Sequence, residues 1–336
     1  MSFIKPIVAS LAMAALVLPA HAAEQPAKSI QPAQKHSFSR PLHLSGALNF
    51  LHQTQFNSNG NKHEFGLNNA NLFVDFGLTK GVQTHFNILM DGETVDLDEA
   101  TISYNVAKSP VEKVTIGQTY TPFGGSHNLY TANPSLIQSM TQSKETLFSV
   151  SAKMDQDVYG QVWAYSHPVA GESSRFSKWG ALAGYRFNAN GVKAEMKAAW
   201  INDLRTVDNS VITLPESSKS VGAWHTTVNA KYANFDAKAE YMSAQSHLSA
   251  DVKPSVWHVG LGYGMQWLGH GHHVAVGYER ASEETATVLP HKVHEYANYT
   301  IAWTKNLSGV LNYDHYKAFA GSENINRGSV GVEVKF

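Results

Sequence analysis

The chain of 336 residues contains no cysteine. That excludes a disulfide scaffold, zinc held on thiolates and a thiol nucleophile. Charge is also scarce: Asp, Glu, Lys and Arg make up 16% of the residues, against ~25% in an ordinary soluble protein. The formal net charge is -1, which leaves no footprint for nucleic acid. Beyond the N-terminus no apolar run approaches the ~18 residues that a membrane helix needs. Mean hydropathy is -0.26, the average of a water-soluble chain. Length alone admits two soluble domains or one large barrel. What the chain does contain decides between them.

The N-terminus sets the compartment. Met1–Pro6 carries one cation, Lys5, and Ile7–Leu18 is an unbroken run of apolar and small residues. Ala20-His21-Ala22 fits the small-x-small pattern before a cleavage site. This is the plan of a secretory signal peptide over 1–22. The alternative, a membrane anchor, has too short an apolar core to span a bilayer. Residues 23–40, with Pro26 and Pro32 among them, read as a flexible polar leader, so the folded unit is expected over 41–336. An exported chain without cysteine must be stabilised by something other than disulfides.

From residue 42 onward the dominant pattern is alternation, the mark of strands with two unlike faces. Val192, Ala194, Met196, Ala198 and Trp200 share one face, with Lys193, Glu195 and Lys197 on the other. Val82, Thr84, Phe86, Ile88 and Met90 alternate in the same way with Gln83, His85 and Asn87. Helical periodicity is nearly absent. The pattern predicts sixteen strands, over 42–52, 64–78, 82–90, 97–106, 111–120, 145–154, 158–166, 177–187, 192–201, 220–232, 235–243, 254–266, 273–281, 293–303, 307–316 and 327–336. The connections sort into two kinds. Long ones (53–63, 91–96, 121–144, 167–176, 202–219, 244–253, 282–292, 317–326) take turns with short ones such as Asn188-Ala189-Asn190-Gly191 and Ala233-Asn234. Soluble sandwiches have no reason to sort loops so; outer-membrane barrels do, with tight periplasmic turns and longer loops outside.

The last strand, S-V-G-V-E-V-K-F, places Val330, Val332, Val334 and Phe336 on one face. An amphipathic final strand ending in Phe is similar to the signal read by the barrel-insertion machinery, which becomes an expected partner through Phe336. The predicted fold is therefore all-β: a transmembrane antiparallel barrel of about 16 strands in the outer membrane of a Gram-negative bacterium. Its backbone groups pair within the closed wall, and only every second residue needs to be apolar, so the mean hydropathy stays low. A charge on the lipid face costs ~2–4 kcal/mol at mid-depth, which assigns Lys193, Glu195 and Lys197 to the lumen. Trp163, Trp179, Trp200, Trp257 and Trp303 lie near strand ends, where an aromatic girdle belongs.

Three segments carry a family likeness: N-A-N-L-F-V-D-F-G-L-T at Asn69–Thr79, L-D-E-A at Leu97–Ala100, and V-T-I-G-Q-T-Y-T-P-F-G at Val114–Gly124. With S-L-I-Q-S-M-T-Q-S at Ser135–Ser143, they resemble the LbtU-type siderophore porins associated with legiobactin uptake. The likeness covers roughly the first third of the barrel. It implies a sixteen-stranded barrel without the plug domain of energy-coupled receptors, and it carries over no ligand-contact residue. Length agrees independently, because a plug and 22 strands do not fit in this chain.

A barrel of this size leaves an aqueous channel. Its expected lumen charges are of both signs: Arg186, Lys193, Lys197 and Lys238 against Glu99, Glu195, Asp236 and Glu240. The plain reading of these groups is lumen solvation and cross-strand pairing; the functional one is a solute pathway without steep single-sign selectivity. The long loop 121–144 is expected to fold into the mouth, with Phe123, His127 and Tyr130 as constriction candidates; a solvated external loop is the alternative. Seventeen histidines raise the question of metal. His270, His272 and His273 are weak candidates in a short turn, and His291 and His294 lie three apart, but no metal site and no cofactor is expected. Asp91, Glu93, Asp96 and Asp98 read as a solvated acidic loop or weak calcium ligands. No nucleophile motif points to catalysis, so the chain reads as a conduit for small solutes or ferric siderophores, set against a general porin, a barrel enzyme or an adhesin. Its oligomeric state is open.

Overall fold

The computed structural model describes residues 42–57, 60–91, 94–107, 109–124, 135–155, 157–166, 176–206, 220–248, 252–282, 285–286, 288–319 and 323–336. The signal peptide and leader assigned to 1–40, together with His127, Tyr130 and Glu93, lie outside the described residues. Sixteen strands form one closed antiparallel barrel. They are β1 (Leu42–Asn57), β2 (Gly60–Thr79), β3 (Val82–Asp91), β4 (Thr94–Asn105), β5 (Val111–Tyr120), β6 (Lys144–Lys153), β7 (Val158–Ser166) and β8 (Lys178–Ala189). The second half comprises β9 (Val192–Ile201), β10 (Ala223–Tyr232), β11 (Phe235–Ala244), β12 (Ser255–Trp267), β13 (His270–Ala281), β14 (His291–Ala302), β15 (Leu307–Ala318) and β16 (Ile325–Lys335). One short helix, α1 (Leu136–Thr141), interrupts the loop between β5 and β6. Among the described residues there is no separate plug domain.

Each strand pairs with its neighbours in sequence, and β1 closes the wall on β16 from Ala47↔Lys335 to Phe56↔Asn326. The C-terminal Phe336 seals this seam, exchanging backbone hydrogen bonds of 3.1 Å in both directions with Gly46. Closure removes both sheet edges, the condition for burying a sheet in lipid. At one end the strands are joined by tight turns. In Ala189-Asn190-Gly191-Val192 both central residues adopt positive φ, 52° and 78°, as a two-residue hairpin that follows the strand twist requires.

Two connections expected to be long are instead hairpin tips. β1 runs on to Asn57 and β2 starts at Gly60, while β4 starts at Thr94. Apart from Phe56, residues 53–63 are polar or glycine, so period two is hidden although the ladder continues from His52↔Phe65 to Asn57↔Gly60.

The outer face is apolar through the middle of the wall. Met196, Leu261, Val276, Leu311 and Val330 are all at least half exposed, and each alternates with an inward polar or small residue. On β12, Trp257 and Trp267 mark the two rims; ten residues at ~3.4 Å each, tilted ~40°, give about 26 Å, close to the ~25 Å apolar band of such barrels. Trp179 and Trp200 (4.5 Å) and Trp200 and Trp224 (6.3 Å) continue the upper row. Trp163 departs from the expected girdle: it is 3% exposed and faces the interior, nested over Gly180, where any Cβ would collide with its ring. Substituting Leu311 by Arg places a charge at mid-depth on the lipid face and is expected to cost ~2–4 kcal/mol, read as a lower denaturant midpoint for the barrel refolded in lipid.

Candidate functional site: the lumen and the segment that crosses it

The interior is divided by height. Towards the long-loop end, strands β6–β13 turn Leu147, Trp163, Tyr165, Ala199, Ile201, Met242 and Val256 inward, all nearly inaccessible. Leu204, Val221, Leu248, Val252, Leu289 and Phe319 from the connecting segments close over them, forming one apolar cluster. This core sits inside the wall at one mouth, and α1 is part of it.

After β5 the chain turns at Gly124, whose φ of 87° suits only glycine. Phe123 is 1% exposed, with its ring edge-on to His225 of β10 at 5.9 Å. Helix α1 begins on Ser135, whose hydroxyl accepts from the Gln138 N–H at 3.0 Å, the usual N-cap contact. Its Leu136, Ile137 and Met140 are buried in the cluster, and it lies against β11–β14. Counting strands, β5 and β12 stand seven apart in a ring of sixteen, so the segment leaves one wall and lands on the opposite one.

The landing point is a buried polar system. The Leu136 N–H donates to Glu279 Oε2 at 2.7 Å. The same oxygen faces His294 Nδ1 at 2.9 Å, and His294 Nε2 faces Asp314 Oδ1 at 2.9 Å. All three side chains are fully buried, with Tyr316 stacked on the His294 imidazole at 4.3 Å. Beside them Glu240 accepts from Lys238 Nζ at 2.8 Å and meets His258 Nδ1 at 3.2 Å, and His258 Nε2 meets the Tyr296 hydroxyl at 2.9 Å. Tyr296 fits because Gly277 leaves the space beneath its ring.

The predicted lumen charges all lie on inward positions of their strands, but they form separate groups. Glu195 accepts from Arg186 Nε and Lys197 Nζ, each at 3.0 Å, and from the Tyr159 hydroxyl at 2.8 Å. Lys238 and Glu240 form a buried pair. Asp236 is held by His273 Nε2 at 2.9 Å. Glu99, four strands from Arg186, accepts from the Thr119 hydroxyl. Lys193 stands apart from these groups, and Lys231, which the sequence reading missed, faces it across the β9–β10 ladder. The register of that pair is set across the long 202–222 connection, so spacing along the chain carries no sign of it.

At the long-loop mouth, Lys178 Nζ lies 2.6 Å and Arg205 Nη2 2.8 Å from Asp203 Oδ2. Burial pushes the Asp203 carboxyl up, but hydrogen bonds from Arg205 and Lys178 outweigh it and hold the group below the usual carboxylate range. On the far side, Glu64, Asp91 and Asp96 are exposed. Asp98 is not part of a solvated acidic loop. It is 4% exposed and accepts from Asn87 Nδ2 (3.0 Å), the Tyr120 hydroxyl (3.0 Å) and Lys144 Nζ (3.2 Å).

The histidine cluster differs from its expected place in a turn. His270, His272 and His273 are on β13, where the alternation divides them. His272 faces outward against the Tyr299 hydroxyl at 2.6 Å and the Trp267 carbonyl at 3.1 Å, while His273 faces inward onto Asp236. Among the described residues no group of three or more His, Asp or Glu is placed to hold a metal.

No family model matches the sequence, and a search of curated proteins gives no match. Solved structures do match. Pseudomonas putida OprB aligns with a TM-score of 0.66 at 10% identity, over 88% of this chain and 94% of that one. The fold is that of the outer-membrane porins. A loop-deleted OmpT of Vibrio cholerae (TM-score 0.59, 8% identity, 88% of this chain and 100% of that one) has the same architecture. So does Salmonella typhi OmpF in complex with daunomycin (TM-score 0.59, 10% identity, 88% and 97%). Closed wall and strand number are shared with these outer-membrane neighbours. At such identities the likeness is one of fold, and the siderophore subtype stands on the sequence resemblance alone.

Proposed function

We propose that this barrel conducts small polar solutes across the outer membrane by facilitated diffusion, with segment 121–144 narrowing its lumen. The observation that carries the reading is the crossing of α1 from the β5 wall to Glu279. It fills one side of the mouth with apolar side chains and leaves a polar path along β16 and β1–β5. Glu99 lines that path, and Arg186, Lys193, Glu195 and Lys197 on β8 and β9 line the lumen nearer the short-turn end in this reading, holding solute weakly enough to release it, with Lys238 and Glu240 as a buried pair in the wall beside them. The role is that of a conduit, not of an enzyme.

Ferric siderophores are the finer version of the substrate class. They rest on the resemblance of Asn69–Gly124, which falls on β2–β5 and thus on the side of the lumen that α1 leaves open. A general solute pore is the alternative. Planar-bilayer conductance with and without candidate ferric siderophores separates the two. Step conductance with block that rises with siderophore concentration supports the finer reading, and conductance indifferent to siderophore leaves the general pore. A refolded barrel with no conductance would overturn both and favour a structural or adhesive role.

A further inference from the structure

Lys193 and Lys231 are direct register partners on β9 and β10, both inward and both exposed near the short-turn end of the barrel. Like charges directly opposite one another in an antiparallel pair repel and destabilise it. Among the described residues neither ammonium has an ion-pair or hydrogen-bond partner. Asp236 is the other register partner of Lys231, yet its carboxylate reaches over Gly262 to His273 at 2.9 Å. The other two carboxylates of this wall are also engaged, Glu195 between Arg186 and Lys197 and Glu240 with Lys238. Counting the inward positions of β8–β11 and leaving aside Lys178, which pairs with Asp203, five cations (Arg186, Lys193, Lys197, Lys231 and Lys238) face three carboxylates (Glu195, Asp236 and Glu240), an excess of two positive charges.

We propose that Lys193 and Lys231 form an anion subsite at the short-turn exit of the lumen, taking the oxygens of a carboxylate- or phosphate-bearing solute. Residues directly opposite have Cα atoms ~4.5–5.5 Å apart, so two flexible lysine stems converge on one compact anion. The Asn188 side chain, inward on the same rung as Lys193, adds an amide donor. The anion supplies the charge that the wall withholds, which is why the repulsive pair is tolerated. The opposite wall differs in sign: its exposed Glu64, Asp91 and Asp96 lie towards the long-loop mouth.

The inference rests on the pore reading, and its test keeps the two apart. Purified full-length protein is inserted into planar bilayers, and block by inorganic phosphate added to the short-turn side is measured in 0.1 M KCl with reversal potentials in a KCl gradient. Wild type should show phosphate block; the double variant Lys193→Gln, Lys231→Gln should need about tenfold more phosphate for half block and shift its reversal potential towards potassium. The Lys193→Arg, Lys231→Arg variant should behave as wild type. In 1 M KCl, where the screening length falls to ~3 Å, the difference should vanish. Removing the repulsion should leave the double variant at least as resistant to denaturant as wild type, which excludes misfolding as the cause. Equal phosphate block in wild type and double variant, with normal conductance, would overturn the subsite and leave the pore intact. Absence of conductance in wild type would overturn the pore reading itself.

Discussion

Replacing Asp203 by alanine is expected to cost about 3–5 kcal/mol, because it removes the buried carboxylate from an ion pair and leaves its positive charge uncompensated there. Lys178 is 7% exposed and Asp203 wholly buried, so the ammonium of Lys178 has no water to turn to when the carboxylate is removed. Arg205 loses three side-chain contacts to the same group, at 3.0, 3.3 and 2.8 Å. The check is a lower guanidinium midpoint for the detergent-solubilised barrel, with Asp203→Asn intermediate because it keeps a hydrogen-bonding group in place. The same site fixes a pH dependence. The folded-state pKa of Asp203 is lowered from 3.8, so the unfolded chain takes up the proton first. The stabilisation is complete above pH 3.8 and is lost as the pH falls through the lowered folded-state value. In Asp203→Ala this part of the acid sensitivity should be gone.

Which parts of this architecture could be read from the chain follows from where water and lipid meet the wall. On β9 lipid lies on one face and water on the other, so Lys193, Glu195 and Lys197 could be placed by alternation alone. The tips of β1 and β2 contact water on both faces, and there the period disappears even though the ladder continues to Asn57↔Gly60. Trp163 shows the converse. The upper lumen beside it is apolar, so both faces of β7 carry hydrophobic residues and nothing local distinguishes an inward indole from a girdle residue. Leu204, Leu248 and Phe319 belong to that same inner core but come from connecting segments, which have no period. The anchor of α1 was hidden for a different reason. Leu136 and Glu279 are 143 residues apart, and only closure of the ring brings β13 under the loop that follows β5.

Deleting residues 124–140 is expected to raise single-channel conductance by about one third or more. Sixteen strands spaced ~4.8 Å and tilted ~40° enclose a backbone radius of about 16 Å. Side chains projecting ~6 Å leave a lumen about 10 Å in radius, and a helix ~10 Å across occupies roughly a quarter of that section. The deletion removes Leu136, Ile137 and Met140 from the apolar cluster and takes the backbone donor away from Glu279. It leaves the β5–β6 ladder from Val111↔Ala152 to Tyr120↔Lys144 in place. The ladder keeps the wall closed, so the deleted form should still insert and conduct. Glu279 then faces His294 alone in a wider, wetter mouth, where water replaces the lost donor at little cost. An unchanged conductance would mean that the ions already pass clear of α1, and the constriction would have to be sought lower, among Arg186, Glu195 and Lys197.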